Sequence, residues 1–220
     1  MNHSTQYMEF GYTDAARPGS SRYITAPVLD LSGHLDARMR VLDVGCGNGW
    51  MSAVFARHGC TVVGIDPSEQ GVAVARQTYP SIRFEVCEAG EHMLDSLGER
   101  PFDLVISTEV VEHLYGPMSY AVGIFGALRP GGRFVCTTPY HGYLKNLSLA
   151  LAGKHDFHTH PLRQGGHIKF WSRATLTTLL ERAGFVDIEF RGAGRVPYLW
   201  KSMVMSGTRP QATARAVEPS

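Results

Sequence analysis

The stretch from Arg40 to Gly49, RVLDVGCGNG, constrains this chain more than any other. The short apolar run 41–44 carries one acid, Asp43, and breaks into Gly45, Cys46, Gly47, Asn48 and Gly49. From Trp50 the apolar spacing turns helical. A strand therefore ends in a bare main-chain bend that opens a helix. Glycine has no Cβ, so such a bend takes positive φ and lets a ligand lie against the backbone. The helix behind it turns its free N–H groups and positive dipole end into the same crevice, where they meet an anionic or polar ligand. The spacing G-x-G-x-G is not the G-x-G-x-x-G of nicotinamide enzymes. It is not a phosphate loop either, because no Gly-Lys-Ser/Thr follows. The plainer alternative is a turn that only joins strand to helix.

The alternation continues down the chain. Residues 50–58 read as a helix closed by Gly59, and residues 61–65, TVVGI, as a β-branched strand buried on both faces. That strand ends at Asp66, followed by Pro67. A carboxylate in this position accepts hydrogen bonds from both hydroxyls of a ribose. Its structural rival is a helix N-cap, which Ser68 before Glu69 provides equally well. A helix over 70–78, a third strand over 82–87, a fourth over 102–107 and a helix over 119–128 follow. The turn Arg129-Pro130-Gly131-Gly132-Arg133 leads into a fifth strand over 134–138. Ser172 then caps a helix running to Gly184, with a sixth strand over 185–191 and a last over 201–207. This order specifies an α/β fold with a doubly wound, mostly parallel sheet of seven strands. Such sheets bind ligands at the carboxyl ends of strands where the strand order reverses, here between the first and the fourth.

Residues 143–151, YLKNLSLAL, form a helical insertion after the fifth strand, read as a cover over the site, a helix packed on the sheet edge, or a membrane-touching segment. The domain division is a 1–36 arm and cap helix, a 37–207 main domain with an acceptor lid at about 140–172, and a 208–220 tail that has nothing to bury. The helix within 22–36 reads as cover over the sheet, or as a cap with Tyr7, Tyr12, Arg22 or Tyr23 reaching inward.

A net charge of +1 gives no general pull toward nucleic acid. The four cysteines form no C-x-x-C pair and suit free thiols in a reducing compartment. No signal pattern opens the chain, and no apolar run approaches the ~18 residues of a membrane span. A cytoplasmic protein without stable membrane insertion is expected. His155, His158 and His160 do not match a zinc spacing and have no cysteine nearby, so no metal is assigned.

These motifs together resemble the class I S-adenosylmethionine-dependent methyltransferases. Asp43, Gly45, Cys46, Gly47, Asn48 and Gly49 match that family's first motif position by position. The run Thr108-Glu109-Val110-Val111-Glu112-His113-Leu114 looks like its signature after the fourth strand. The LRPGG turn recurs there, and the stretch from His167 to Ser172 looks like a segment bordering the acceptor pocket. The resemblance implies S-adenosyl-L-methionine as cofactor, with the glycine loop beneath its methionine part and Asp43 near its ammonium group. It also implies Asp66 and Pro67 at the ribose, Glu88 and Ala89 at the adenine edge, and Thr108 and Glu109 toward the sulfur or the acceptor. An antiparallel return of the last strand is implied as well.

Within the family the chain resembles the ubiquinone-biosynthesis O-methyltransferases and similar small-molecule enzymes, with a shorter insertion and a different acceptor region. Methyl transfer to a phenol or hydroxyl oxygen of a small molecule is the implied activity. N-methylation of a small molecule, or a non-catalytic nucleotide-binding scaffold of the same fold, stands as the alternative. A hydroxyl acceptor needs its proton removed, and a histidine suits this. His141, His167 and His113 are the candidates, in no order. Pairing into a homodimer is left open.

Overall fold

The computed structural model describes residues 11, 12, 14, 16–156 and 166–211. Seven strands build one sheet: β1 (Arg40–Val44), β2 (Thr61–Asp66), β3 (Arg83–Val86), β4 (Phe102–Thr108), β5 (Leu128–Pro139), β6 (Val186–Ala193) and β7 (Ser202–Thr208). Their order is β3-β2-β1-β4-β5-β7-β6. The first five are parallel, because helical crossovers return the chain to the same end of the sheet each time. The crossovers include α2 (Trp50–Arg57), α3 (Glu69–Thr78), the short α4 (Met93–Leu97) and α5 (Pro117–Ala127). The final strand, β7, lies between β5 and β6 and runs antiparallel to both, as expected.

Alternation along each strand separates two cores. Leu42, Val44, Val63, Ile65, Phe134 and Cys136 face one side, while Val41, Val62, Leu104, Ile106 and Val135 face the other. Side chains thus leave both faces of the sheet apolar, which is why the strands read as nearly continuous hydrophobic runs. The chain's direction across the sheet reverses between β1 and β4. Open sheets take their ligands at such a reversal, at the carboxyl ends of the strands. The N-terminal helix α1 (Ser21–Ser32) packs on β5, β6 and β7. Tyr23 on it lies under the Lys201 ammonium, 5.3 Å from ring centroid to nitrogen, and Arg22 is exposed.

Three local expectations change. The LRPGG segment is a bulge inside one long strand rather than a turn before it. Leu128 already pairs with Phe102, the register then shifts, and Arg133 pairs with Leu104. Backbone bonds from Gly131 N to Arg209 O and from Arg209 N to Gly132 O hold the bulge. Helix α4 was not expected, being only five residues long. The insertion helix α6 (Tyr143–Leu151) is inverted relative to its sequence pattern. Tyr143 and Leu151 are 78% and 81% exposed, whereas Lys145 is 4% exposed. Its amine donates to Tyr140 O at 2.7 Å and Lys201 O at 3.4 Å, so this helix is docked by a cation on carbonyls. The helix α7 (Arg173–Arg182) opens with a reciprocal Ser172–Thr175 capping box. Tyr7, His158, His160 and residues 212–220 lie outside the described residues.

Candidate active site

The bend after β1 is built as its glycines require. Gly45 and Gly47 take φ of 77° and 50°. A Cβ on Gly45 would lie 2.3 Å from Val110 Cγ2, so no other residue fits there. The N–H groups of Gly45 and Cys46 both donate to Ile65 O, at 2.7 and 2.9 Å, which ties the bend to the end of β2. Cys46 is buried, and burial pushes its thiol well above the usual range, so it is an inert filler and not a nucleophile. Asn48 turns its side chain toward the N-terminal arm. Its Nδ2 donates to Asp14 O and Ala16 O at 3.1 and 3.0 Å, and its Oδ1 accepts from Trp50 N at 3.3 Å. Gly49 opens α2 in a left-handed conformation against Phe84 and Ala75.

Asp66 reaches the bend directly. Its Oδ2 accepts from Gly47 N at 2.8 Å and its Oδ1 from Ser68 N at 2.9 Å. The N-cap of α3 is Ser68, whose hydroxyl accepts from Gly71 N at 2.9 Å. Capping and the strand-end carboxylate are thus separate tasks on neighbouring residues. Asp43 is fully buried, with Oδ2 accepting from Ser52 Oγ at 2.6 Å. Its Oδ1 has no hydrogen-bond partner among the described residues. Burial pushes this carboxyl up to about 7, with the Asp66 charge adding to it against the Ser52 hydroxyl. Around β3, Glu88 is exposed, while Ala89 packs against the core.

A second group gathers just after β4. Glu109 has φ 57°, a strained backbone for a non-glycine residue. Its N–H donates to Thr137 O, and its carboxylate accepts from Thr137 Oγ1 at 2.8 Å and Ser202 Oγ at 3.4 Å. Burial raises its pKa against these bonds. Thr108, just before it, pairs with Thr137 of β5. A single 3-10 turn, Val111–His113, then places Glu112 inward at 1% exposure. Among the described residues no hydrogen bond of ordinary geometry reaches either carboxylate oxygen of Glu112, although the Thr138 hydroxyl lies close enough to pull its pKa down in part. Burial first, and the Glu109 charge second, hold its pKa well above the usual range.

The segment 166–172 is laced onto this turn. Ile168 N and Lys169 N both donate to Glu112 O, and Trp171 Nε1 donates to Val111 O. His113 Nδ1 lies 3.3 Å from Gly166 O. The His113 and His167 rings consequently meet edge to face at 5.1 Å. Ligand atoms of Glu112, His113 and His167 all lie within 4.8 Å of one another. His141 is buried, its backbone N–H donating to Trp171 O, with its ring 4.9 Å from Phe170. The structure therefore joins His113 with His167, and ties His141 to the same segment.

Glu112 stood in its motif without a role, and neither Ser52 nor Lys145 was assigned one. The adjacency of an acid to His113 was the available signal for Glu112. No signal marked Lys145, which is buried against the nearby Tyr140 carbonyl and the distant Lys201 carbonyl.

Among the described residues no helix is long and apolar enough to cross a membrane. A family model described as a methyltransferase domain matches residues 16–189. The chain is 34% identical over 158 residues to the ubiquinone biosynthesis O-methyltransferase of Dinoroseobacter shibae, covering 70% of this chain and 62% of that protein. A protein of the same name from Cereibacter sphaeroides is 34% identical over 190 residues, covering 81% of this chain and 75% of that one. An S-adenosylmethionine-dependent methyltransferase structure from Mesorhizobium loti superposes with a TM-score of 0.63 at 20% identity, over 84% of this chain and 96% of that one. With the glycine bend, the strand-end acid and the seven-stranded order all in place, the chain belongs to the S-adenosylmethionine-dependent methyltransferases.

Proposed function

We propose that this chain transfers a methyl group to an oxygen, phenolic or hydroxyl, of a small molecule. The observation that carries this reading is the pairing of His113 with His167 beside the buried Glu112, immediately after β4 at the sheet's switch point. The O-methyltransferase names of the relatives support oxygen as the acceptor atom.

The residues present fit the cofactor. Asp43 has a bare buried oxygen for an ammonium group, and Gly45, Gly47 and Gly49 of the bend carry no Cβ of their own. Asp66, with Pro67, receives the ribose. Glu88 and Ala89 border the adenine, and Thr108 and Glu109 border the sulfur end. When bound, S-adenosyl-L-methionine supplies a methyl on a good leaving group. The chain's share of the work is to align acceptor and methyl and to keep water out. One of His141, His167 and His113 takes the acceptor's proton.

A cation-assisted form of the same reading is favoured by the Glu112 carboxylate, which no hydrogen bond of ordinary geometry reaches among the described residues. One carboxylate and two imidazoles are a donor set that suits Zn²⁺ and similar divalent ions. Glu112, His113 and His167 would hold such an ion, which would supply Lewis acidity toward the acceptor hydroxyl. His141 then remains as the base.

The test is methyl transfer to a panel of phenols, alcohols and amines, read by mass spectrometry of the products. Methylated phenols or alcohols are expected. Methylated amines alone would replace oxygen with nitrogen as the acceptor, and cofactor binding without transfer to any compound would favour a scaffold. The reading includes the domain division given above, a cytoplasmic location and a small-molecule partner. Light scattering decides between monomer and homodimer.

A further inference from the structure

We propose that Tyr12 is a cofactor-positioning residue that walls the ribose end of the crevice, with Asn48 as the latch that holds it there. This rests on the cofactor reading above.

Two glycines make the seat. A Cβ on Gly47 would fall 2.5 Å from the Tyr12 hydroxyl oxygen and 2.7 Å from its Cζ. A Cβ on Gly71 would fall 2.9 Å from Tyr12 Cδ2, and 3.2 Å from both Gly47 O and Ser68 Oγ. With the ring in place, neither position admits a side chain. Gly47 needs glycine for its φ as well, but Gly71 does not take a positive φ. It stands in the first turn of α3, where alanine would favour the helix. The space taken by Tyr12 and the bend accounts for a glycine there.

Gly47 ties this seat to the ribose acid. The residue under the Tyr12 hydroxyl is the one whose N–H donates to Asp66 Oδ2 at 2.8 Å. Ring and carboxylate therefore both lie against Gly47. The segment carrying Tyr12 is pinned from its other end. Asn48 spends its side-chain amide on Asp14 O and Ala16 O, and Arg17 stacks 5.0 Å from the Trp50 ring centroid. Arg17 also donates to Ser21 Oγ and Ser21 O at the start of α1. An aromatic wall held by a side chain of the glycine bend itself senses the state of that bend. Departure of a nucleoside past it requires the ring to shift.

The experiment uses the full chain and S-adenosylhomocysteine as probe. Calorimetry gives the affinity, and stopped-flow tryptophan fluorescence gives the dissociation rate. Tyr12→Ala and Asn48→Ala should each weaken binding about tenfold, mostly through faster dissociation, while Tyr12→Phe stays within about threefold of the parent. Gly71→Ala should weaken binding in the parent but add nothing in a Tyr12→Ala background. If Tyr12→Ala does not fold, Asn48→Ala and Gly71→Ala read the same dissociation rate. Parent-like dissociation in the Tyr12 or Asn48 variants, with binding lost in Asp66→Ala, overturns the inference and leaves the cofactor reading intact. Failure of the parent to bind the probe overturns that reading instead.

Discussion

Gly47 N–H donates to Asp66 Oδ2 at 2.8 Å, so the bend that ends β1 and the acid that ends β2 form one unit. Removing the acid removes both an anchor of the bend and the ribose acceptor. Asp66→Ala should therefore lower affinity for S-adenosylhomocysteine by about 100-fold, or roughly 3 kcal/mol. Calorimetry reads this directly, and an unchanged affinity would count against the ribose assignment.

Asp43 makes stability depend on pH. Its carboxyl sits at about 7 in the folded chain against 3.8 ordinarily, chiefly because of burial. Between those values the folded chain keeps a proton that the unfolded chain has released. Stability therefore falls as pH rises through this window and levels off above it. Asp43→Asn lacks that slope. Its stability relative to the parent should rise by about 2 kcal/mol from about pH 5 to about pH 8, read from urea midpoints. A constant difference across that range would show that the carboxyl is not perturbed.

The histidines separate by their pH profiles. Replacing the true base with glutamine should cut kcat/KM by about 10² to 10⁴ and erase the acid limb of the pH profile. His141→Gln, His167→Gln and His113→Gln are compared under identical conditions. Three intact limbs would remove histidine from proton transfer altogether.

Glu112 carries a buried carboxylate without a hydrogen bond of ordinary geometry among the described residues, and its raised pKa marks a group that destabilises the fold once ionised. Glu112→Gln should raise the melting temperature at neutral pH in the presence of a chelator. Added Zn²⁺ should raise that of the parent and leave the variant unmoved. An equal response to Zn²⁺ in both would place any ion elsewhere.

The pattern of legibility follows from distance along the chain. The bend, Asp66 and the strand-end positions were readable because glycine spacing and β-branched runs are local signals. The β1/β4 switch point followed from the order of those runs. The contact of His113 with His167 was not readable, because it depends on Ile168 and Lys169 bonding to Glu112 O. Asn48 matched the motif by position, yet its amide holds Asp14 and Ala16, a choice that only the arm's path decides. Helix α6 misled for the opposite reason. Its leucines signal burial, but the carbonyls of Tyr140, just past β5, and Lys201, just before β7, capture Lys145 instead.

The place of β7 between β5 and β6 has a consequence during synthesis. Until its residues emerge, the nascent sheet ends at β5 with a row of unmatched amides and carbonyls, and β6 has no neighbour at all. Such an open margin invites pairing with other chains. The strand made last closes the seam, so a ribosome stalled after β6 releases a product with its stickiest edge uncovered.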